Sequence, residues 1–332
     1  MILELFKAGI IGTGSFVPDK LITNKDLEKI VDTSDEWITT RTGIKERRIA
    51  DKAIASSDMG TNASLKALKA AGIGAEEIDL IIVATVTPDM NFPSTACIIQ
   101  NNIKATRAAA FDVEAACSGF IYALAIAEQF VATGFYKNVL VVASECLSRF
   151  VNWKDRNTCI LFGDGAGAVV ISRVDKKYGI LSCHLGADGS GKDLLSLKAG
   201  GSRQPASLET IEKNLHSIHM EGSEVFKFAV KIMAAAANEA AKLAGLTSQD
   251  IDYLVPHQAN IRIIEASAKR LGIDKEKLWI NLDKYGNMSA ASIPVALDEA
   301  VRAGQIKKGD HVCLVGFGGG LTWASTMIRW AI

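Results

Sequence analysis

Short runs that are apolar on both faces alternate with alanine-rich stretches of helical period along the whole chain. IDLIIVATV (78–86), NVLVVASE (138–145) and GAVVISRV (167–174) read as strands. SGFIYALAIAEQFVATG (118–134) and VFKFAVKIMAAAANEAAKLAG (225–245) read as helices. A strand with no polar face has to be covered on both sides, so the pattern predicts an α/β fold with helices above and below the sheet. The longest apolar runs, at 80–86 and 139–143, have strand length. None reaches the roughly 18 residues of a membrane span.

The two halves repeat each other. KAAGIGAEEIDLIIV (69–83) matches KLAGLTSQDIDYLVP (242–256) at an offset of 173, each with a helix ending at Gly and an acidic turn leading to Ile-Asp. Cys117 and Gly134 lie 170 residues before Asn287 and Gly304, and the strands from Val139 and Val312 return to 173, so a three-residue insertion explains the drift. Each half also has a glycine-rich turn beside its last strand, FGDGAGAVVI (162–171) and GFGGGLTWASTMI (316–328). Two copies of one α/β unit explain these matches, and chance similarity among Ala/Gly/Ile-rich segments is the alternative. The expected halves are 1–175 and 176–332, with the Gly/Ser-rich, aperiodic stretch 184–222 as connector.

Composition narrows the function. Lys+Arg and Asp+Glu number 37 each in 332 residues, so no chain-wide basic field serves a nucleic acid, and an anionic partner must be met by a local patch. Glu4 and Lys7 interrupt the first apolar stretch, so no secretion signal is expected. The six cysteines form no CxxC pair and have no histidine at metal-ligand spacing. They read as thiols in a reducing compartment, the cytoplasm, with neither metal nor redox cofactor.

Three residues carry candidate chemistry. Cys117, in DVEAACSGFIYAL, follows a strand-like AAAFDVEAA and opens a long helix, where unpaired N–H groups and the positive dipole end favour a thiolate. A buried structural cysteine is the alternative. His257 comes directly after a strand ending at Pro256, at the carboxyl end where ligands gather in α/β sheets; a capping or hydrogen-bonded histidine is the alternative. Asn287, in YGNMSAAS, sits at the repeat position of Cys117, although alone it is a turn-and-cap signature. Residues 318–320, all Gly, join two strands and permit an oxyanion-type backbone site or merely a tight hairpin. GTGSFV (12–17) lacks a dinucleotide fingerprint, and GDGAGA (163–168) has no lysine for phosphate and reads as close packing.

With these residues in place the chain resembles the β-ketoacyl-acyl-carrier-protein synthase III family, the condensing enzymes that start fatty-acid synthesis. The resemblance rests on DTSDEWITTRTGIKERRIA (32–50), AACSGF (115–120), LFGDGAGA (161–168), PHQANIRI (256–263), KYGNMSAASIP (284–294) and GGGLTW (318–323), and spans essentially the whole chain. It implies the thiolase-like fold, a duplicated α/β/α/β/α five-layered sandwich, and a homodimer. It implies a Cys117–His257–Asn287 triad, with the backbone N–H groups of Cys117 and Gly319 holding an oxyanion. It also implies a short acyl-CoA, acetyl-CoA by preference, and malonyl-acyl-carrier protein as substrates. For CoA it points to Trp37, Arg41, Arg156, Asn260 and Arg262. For the acyl pocket it points to Phe92, reaching over from the partner subunit, and Phe317. For the acyl carrier protein it points to Lys227, Gln258, Arg262, Lys269 and Arg270. Arg262, Lys269 and Arg270 at i, i+7 and i+8 would share one helix face; a solvated face is the plain alternative.

Two positions depart from the family pattern. Met288 stands where Thr is usual and is expected to reshape the pocket beside Asn287, and Ala324 stands where Gly is usual. Two other functions compete: an acyltransferase of secondary metabolism that transfers without condensing, and a non-catalytic acyl-CoA-binding protein on the same scaffold.

Overall fold

The computed structural model describes residues 5–332; residues 1–4, Glu4 among them, lie outside it. The first sheet contains β1 (Lys7–Phe16), β2 (Leu80–Ala84), β3 (Ala109–Val113), β4 (Val139–Cys146) and β5 (Asp164–Val174), in the order β1–β5–β4–β2–β3. The second contains β6 (Gly179–Ala187), β7 (Tyr253–Pro256), β8 (His311–Gly318) and β9 (Thr322–Arg329), in the order β7–β8–β9–β6. The pairings correspond. β1/β5 and β5/β4 are antiparallel and β4/β2 parallel, as β6/β9 and β9/β8 are antiparallel and β8/β7 parallel. They part at the fifth strand: β3 pairs with β2 from Leu80↔Ala109 to Ala84↔Val113, whereas its counterpart shrinks to one bridge, Leu254↔Leu278.

Seven helices matter for the site: α1 (Asp35–Thr42), α2 (Ser56–Ala71), α3 (Thr95–Ile103), α4 (Gly119–Ala132), α5 (Gly222–Leu243), α6 (Ile261–Leu271) and α7 (Ser292–Arg302). α2 and α3 cover the outer face of the first sheet. α4 and α7 fill the space between the sheets, and α5, backed by α6, covers the second. The result is the five-layered α/β/α/β/α sandwich.

The apolar strands follow from this layering. Successive side chains of a strand point to opposite faces. In β2, Leu80, Ile82 and Ala84 enter the central core while Ile81 and Val83 enter the outer one. In β8, Val312 and Leu314 face the centre while Cys313, Val315 and Phe317 pack under α5 and α6. α4 is apolar nearly all round because both sheets and α7 enclose it, with Phe120, Ile121 and Leu124 fully buried. Each such side chain contributes roughly 1.5–3 kcal/mol, so the middle layer anchors the fold.

The structure refines three expectations. In GDGAGA, a Cβ on Gly167 would come within 2.6 Å of Pro294 at the start of α7, and one on Gly165 within 2.6 Å of the Met288 sulfur; the glycines serve close packing. Met288 is fully buried in the central core and does not line the cavity described below, so the expected reshaping of the pocket does not occur through its side chain. The stretch 184–222 is more than a connector. Its first residues complete β6, and the strands Leu195–Leu197 and Ile218–Met220 pair into a ribbon that walls the cavity.

The internal repeat also shifts register at the helices. α4 and α7 begin 173 residues apart, at Gly119 and Ser292, and end 170 apart, at Ala132 and Arg302. The three extra residues therefore lie inside α4, and the structural twin of Cys117 is Ala290. The expected equivalence of Cys117 with Asn287 is displaced by those three residues.

Candidate active site

Cys117 sits in a tight 3-10 turn, Ala116–Ser118, between the end of β3 and the start of α4. Ala116 has φ +46°, in the left-handed region, where a non-glycine residue costs about 1–2 kcal/mol. The turn is held nonetheless: Ser118 Oγ lies 2.7 Å from the Ala115 carbonyl and 2.8 Å from Thr322 Oγ1, and hydrogen bonding there ties the nucleophile turn to β9 of the other half. Cys117 is buried and contributes to the cavity wall.

The other half supplies the partners. His257 leaves β7 directly, its N–H donating to the Val315 carbonyl of β8 at 2.8 Å, and its ring packs edge-on against Phe317 at 5.7 Å. Gly316 lies against both reacting residues: a Cβ there would be 3.3 Å from the Cys117 carbonyl oxygen and 3.5 Å from His257 Cβ. Asn287 is pinned through its backbone, donating to the Leu161 carbonyl at 2.8 Å and accepting from the Gly163 N–H at 3.0 Å. Its Oδ1 accepts from the Ser289 N–H at 2.8 Å. The amide NH2 then has no partner among the described residues, which suits a donor to a substrate oxygen. Tyr285 and Asn281, just upstream of Asn287, and Trp279 converge on the Glu299 carboxylate at 2.6, 2.8 and 3.2 Å.

Gly318 and Gly319 close the site above the thiol. A Cβ on Gly318 would meet the Cys117 amide nitrogen at 2.5 Å, so only glycine admits the hairpin there. Cys117, Gly319 and Gly320 line one cavity of about 750 Å³ with Thr85, Thr87, Leu147, Phe162, Leu195, Ile218 and Ser289. Phe317, His257 and Asn287 are buried and are not among the residues that line this cavity.

Burial sets the resting charges. Desolvation pushes the Cys117 thiol up to about 12 and the His257 imidazole down to about 3. The resting pair is a neutral thiol beside a neutral imidazole. The thiolate expected from the helix N-terminus is outweighed by loss of solvent, and His257 Nδ1 is buried without a partner among the described residues.

The remaining predicted residues divide between two surfaces. Trp37 of α1 lies between two guanidinium groups, Arg41 at 5.8 Å and Arg156 at 5.1 Å from its ring centre. Asn260 caps α6 through its side chain and donates to the Arg41 carbonyl at 3.0 Å, joining α1 to α6. Arg262 lies 5.4 Å over Phe226, and Lys269 and Arg270 are exposed farther along the same helix. Lys227 is exposed and paired with Glu224 at 2.8 Å. Gln258 is a correction: it is fully buried, donating to the Pro256 and Trp279 carbonyls and accepting from the Asn281 N–H. It braces the histidine turn and cannot meet a docking protein. Phe92 is 85% exposed, beside Met90 and Asn91 of the cavity rim.

Sequence reasoning missed Glu145, at the end of β4. Its carboxylate is fully buried and accepts from Thr87 Oγ1 at 2.7 Å and the Val86 N–H at 3.2 Å, two residues that line the cavity. An acidic residue ending an apolar run reads as a strand exit to solvent. The available signal was its spacing, 173 residues before Gly318.

Comparison with known proteins bears on the family and the fold. Residues 111–189 match the family model of 3-oxoacyl-[acyl-carrier-protein] synthase III and residues 241–330 that of its C-terminal part. The chain is 65% identical over 328 residues to the β-ketoacyl-[acyl-carrier-protein] synthase III of Caldanaerobacter subterraneus subsp. tengcongensis, covering 99% of both chains. It is 61% identical to that of Clostridioides difficile, covering 98% of this chain and 99% of the other. The crystal structure of the Aquifex aeolicus 3-oxoacyl-[acyl-carrier-protein] synthase III superposes with a TM-score of 0.91 at 50% identity, covering 97% of this chain and all of that one. Such identity over nearly the full length, on one architecture, means that the chain belongs to the β-ketoacyl-[acyl-carrier-protein] synthase III family.

Proposed function

We propose that the protein is the initiating condensing enzyme of fatty-acid synthesis, joining a short acyl-CoA, acetyl-CoA by preference, to malonyl-acyl-carrier protein. The observation that carries the reading is Cys117 on the cavity wall, with His257 of the other half packed against the same glycine, Gly316, and Asn287 tied to the cavity-lining Ser289. Cys117 Sγ attacks the acyl-CoA thioester carbon; the Sγ–C bond forms as the C–S bond to CoA breaks. Malonyl-acyl-carrier protein then places its thioester carbonyl at His257 and Asn287. Both are neutral donors, so they stabilise the enolate left by departing CO2 without a charge to titrate. The enolate carbon attacks the acyl-Cys117 carbonyl, whose oxygen is received by the Cys117 and Gly319 N–H groups, and the thiolate is released with the 3-oxoacyl product.

Trp37 flanked by Arg41 and Arg156 suits an adenine ring with phosphates. Arg262, Lys269 and Arg270 suit an acidic carrier. The exposed Phe92 and the edge strand β3 suit a homodimer in which each subunit caps its partner's cavity, and a cytoplasmic setting follows from these substrates. The reading needs no metal or redox cofactor. Intact masses of both proteins after mixing with acetyl-CoA and malonyl-acyl-carrier protein test it. Acetoacetyl-carrier protein should form, and disappear in Cys117→Ser. His257→Ala and Asn287→Ala should keep the acyl-enzyme and slow condensation by about 10²–10³-fold. Acylation of Cys117 with a carrier that stays malonylated would instead favour an acyltransferase.

A further inference from the structure

His257 and Asn287 stand on separate turns of the second half, and one side chain ties those turns together. Glu299, on α7, receives three donors: Tyr285 Oη at 2.6 Å on Oε1, and Asn281 Nδ2 at 2.8 Å and Trp279 Nε1 at 3.2 Å on Oε2. The three span the stretch 279–285, which leads into Asn287 two residues later. The Trp279 and Tyr285 rings pack against the central core that α7 enters. Burial and then the Glu299 carboxylate push the Tyr285 phenol above its ordinary value, so it stays a donor. The same stretch grips the histidine turn. The Asn281 N–H donates to Gln258 Oε1 at 3.1 Å, and Gln258 Nε2 donates to the Trp279 carbonyl at 3.1 Å and the Pro256 carbonyl at 2.8 Å. Gln258 and Asn281 are both buried, which shields these bonds from water. Pro256 and Gln258 bracket His257, whose own Nδ1 has no partner among the described residues. A histidine is ordinarily oriented by the bond its second ring nitrogen makes; here it is the backbone on either side that is held. The nucleophile stands outside this clasp, its turn being fixed through Ser118, Ala115 and Thr322.

We propose that Glu299 is the positioning residue for the two donors of the condensation step: by clasping 279–285 it fixes the His257 turn and the Asn287 turn relative to each other, and leaves Cys117 independent of it. This deepens the condensing reading and rests on it. Glu299 touches no substrate and exchanges no proton in the reaction; it acts through geometry alone. Two donors serve one thioester oxygen only while both stay within hydrogen-bond distance of it, and a misplacement of about 1 Å can cost about 10²-fold in rate. In the condensing reading, acylation of Cys117 asks for neither donor. Loosening the clasp therefore strikes the second half-reaction and spares the first.

The test separates the half-reactions in wild type, Glu299→Ala, Glu299→Gln and Tyr285→Phe. Acetylation of Cys117 by acetyl-CoA is timed by intact mass, and the isolated acetyl-enzyme is then mixed with malonyl-acyl-carrier protein in a single turnover. Glu299→Ala should acetylate at the wild-type rate and condense about 10²-fold more slowly. Glu299→Gln, which keeps an acceptor oxygen of the same reach, should recover part of that loss. Tyr285→Phe removes one donor of the three; it should slow condensation alone, by less, and decides the matter if Glu299→Ala fails to fold. A merely structural Glu299 would slow both half-reactions together or neither, and either result overturns the proposal. Hydrogen exchange keeps its failure apart from that of the condensing reading. Peptides covering 256–260 and 279–287 should exchange faster in Glu299→Ala, and a peptide covering 115–118 should not. If wild type acetylates but forms no 3-oxoacyl product, the condensing reading falls; this selective loosening would then leave the clasp standing, and unchanged exchange would remove it too.

Discussion

The turn that opens α4 and the turn that opens α7 are the same piece of backbone put to different uses. Ala116 and Ser289 both have φ +46°. Cys117 corresponds to Ala290 and Gly318 to Glu145, each pair 173 residues apart. In the first turn, glycine at 318 leaves the Cys117 N–H facing the cavity, with no side chain between. In the second, the Glu145 carboxylate occupies the matching place and draws stabilisation from the Ala290 N–H. One amide has only a glycine beside it, and its twin faces the protein's own carboxylate. Duplication supplied two like helix starts, and the residues at 145 and 318 set what faces each of them.

The largest effect should come from moving the nucleophile between the twins. Cys117→Ala should abolish acyl-enzyme formation, by at least about 10³-fold, and adding Ala290→Cys in that background should not restore it, because position 290 faces the central core. Intact mass after acetyl-CoA treatment reads both. A regained acetyl adduct on residue 290 would mean that the two turns are chemically equivalent after all.

A smaller effect should come from closing the open twin. Gly318→Ala forces a methyl group to within 2.5 Å of the Cys117 nitrogen unless the hairpin moves. It should cost about 1–3 kcal/mol in a urea titration and slow turnover about 10²-fold. Wild-type turnover in this variant would remove the Cys117 N–H from the mechanism.

The smallest effect concerns the filled twin. Burial raises the Glu145 carboxyl from 4.5 to about 7 in the folded chain. Its contribution to stability is therefore complete below pH 4.5 and is lost as pH rises through about 7. Urea midpoints across this range should fall more steeply for wild type than for Glu145→Gln, by an amount on the order of 1–3 kcal/mol. Parallel curves would place Glu145 in a more polar setting than its burial indicates.

Much of this was legible before the structure. The runs at 78–86 and 138–145 read as strands covered on both faces, and two separate cores receive their alternate residues. Cys117, His257 and Asn287 stood out as candidates from their places at helix starts and a strand exit, and GDGAGA read as packing. Other features escaped for physical reasons. Gln258 looked available because it follows His257 in a turn, but three backbone groups, two of them from 279 and 281, bury it. Met288 looked like a pocket residue because it follows Asn287; the turn sends its side chain to Gly165 in the core. The twin of Cys117 was misplaced by three residues because an insertion inside a helix leaves no mark in an apolar pattern that simply continues.

The sequence by itself determined the α/β class, the duplication and the candidate residues, because periodicity, helix starts and strand exits are local properties of the chain; the five-layered order came with the family resemblance. Only the tertiary structure decided the charges at that centre. Whether Cys117 is a thiol or a thiolate, and whether Glu145 is a surface acid or a buried one, depends on how much solvent the surrounding segments remove. That loss of solvent is a property of segments more than a hundred residues apart in the chain.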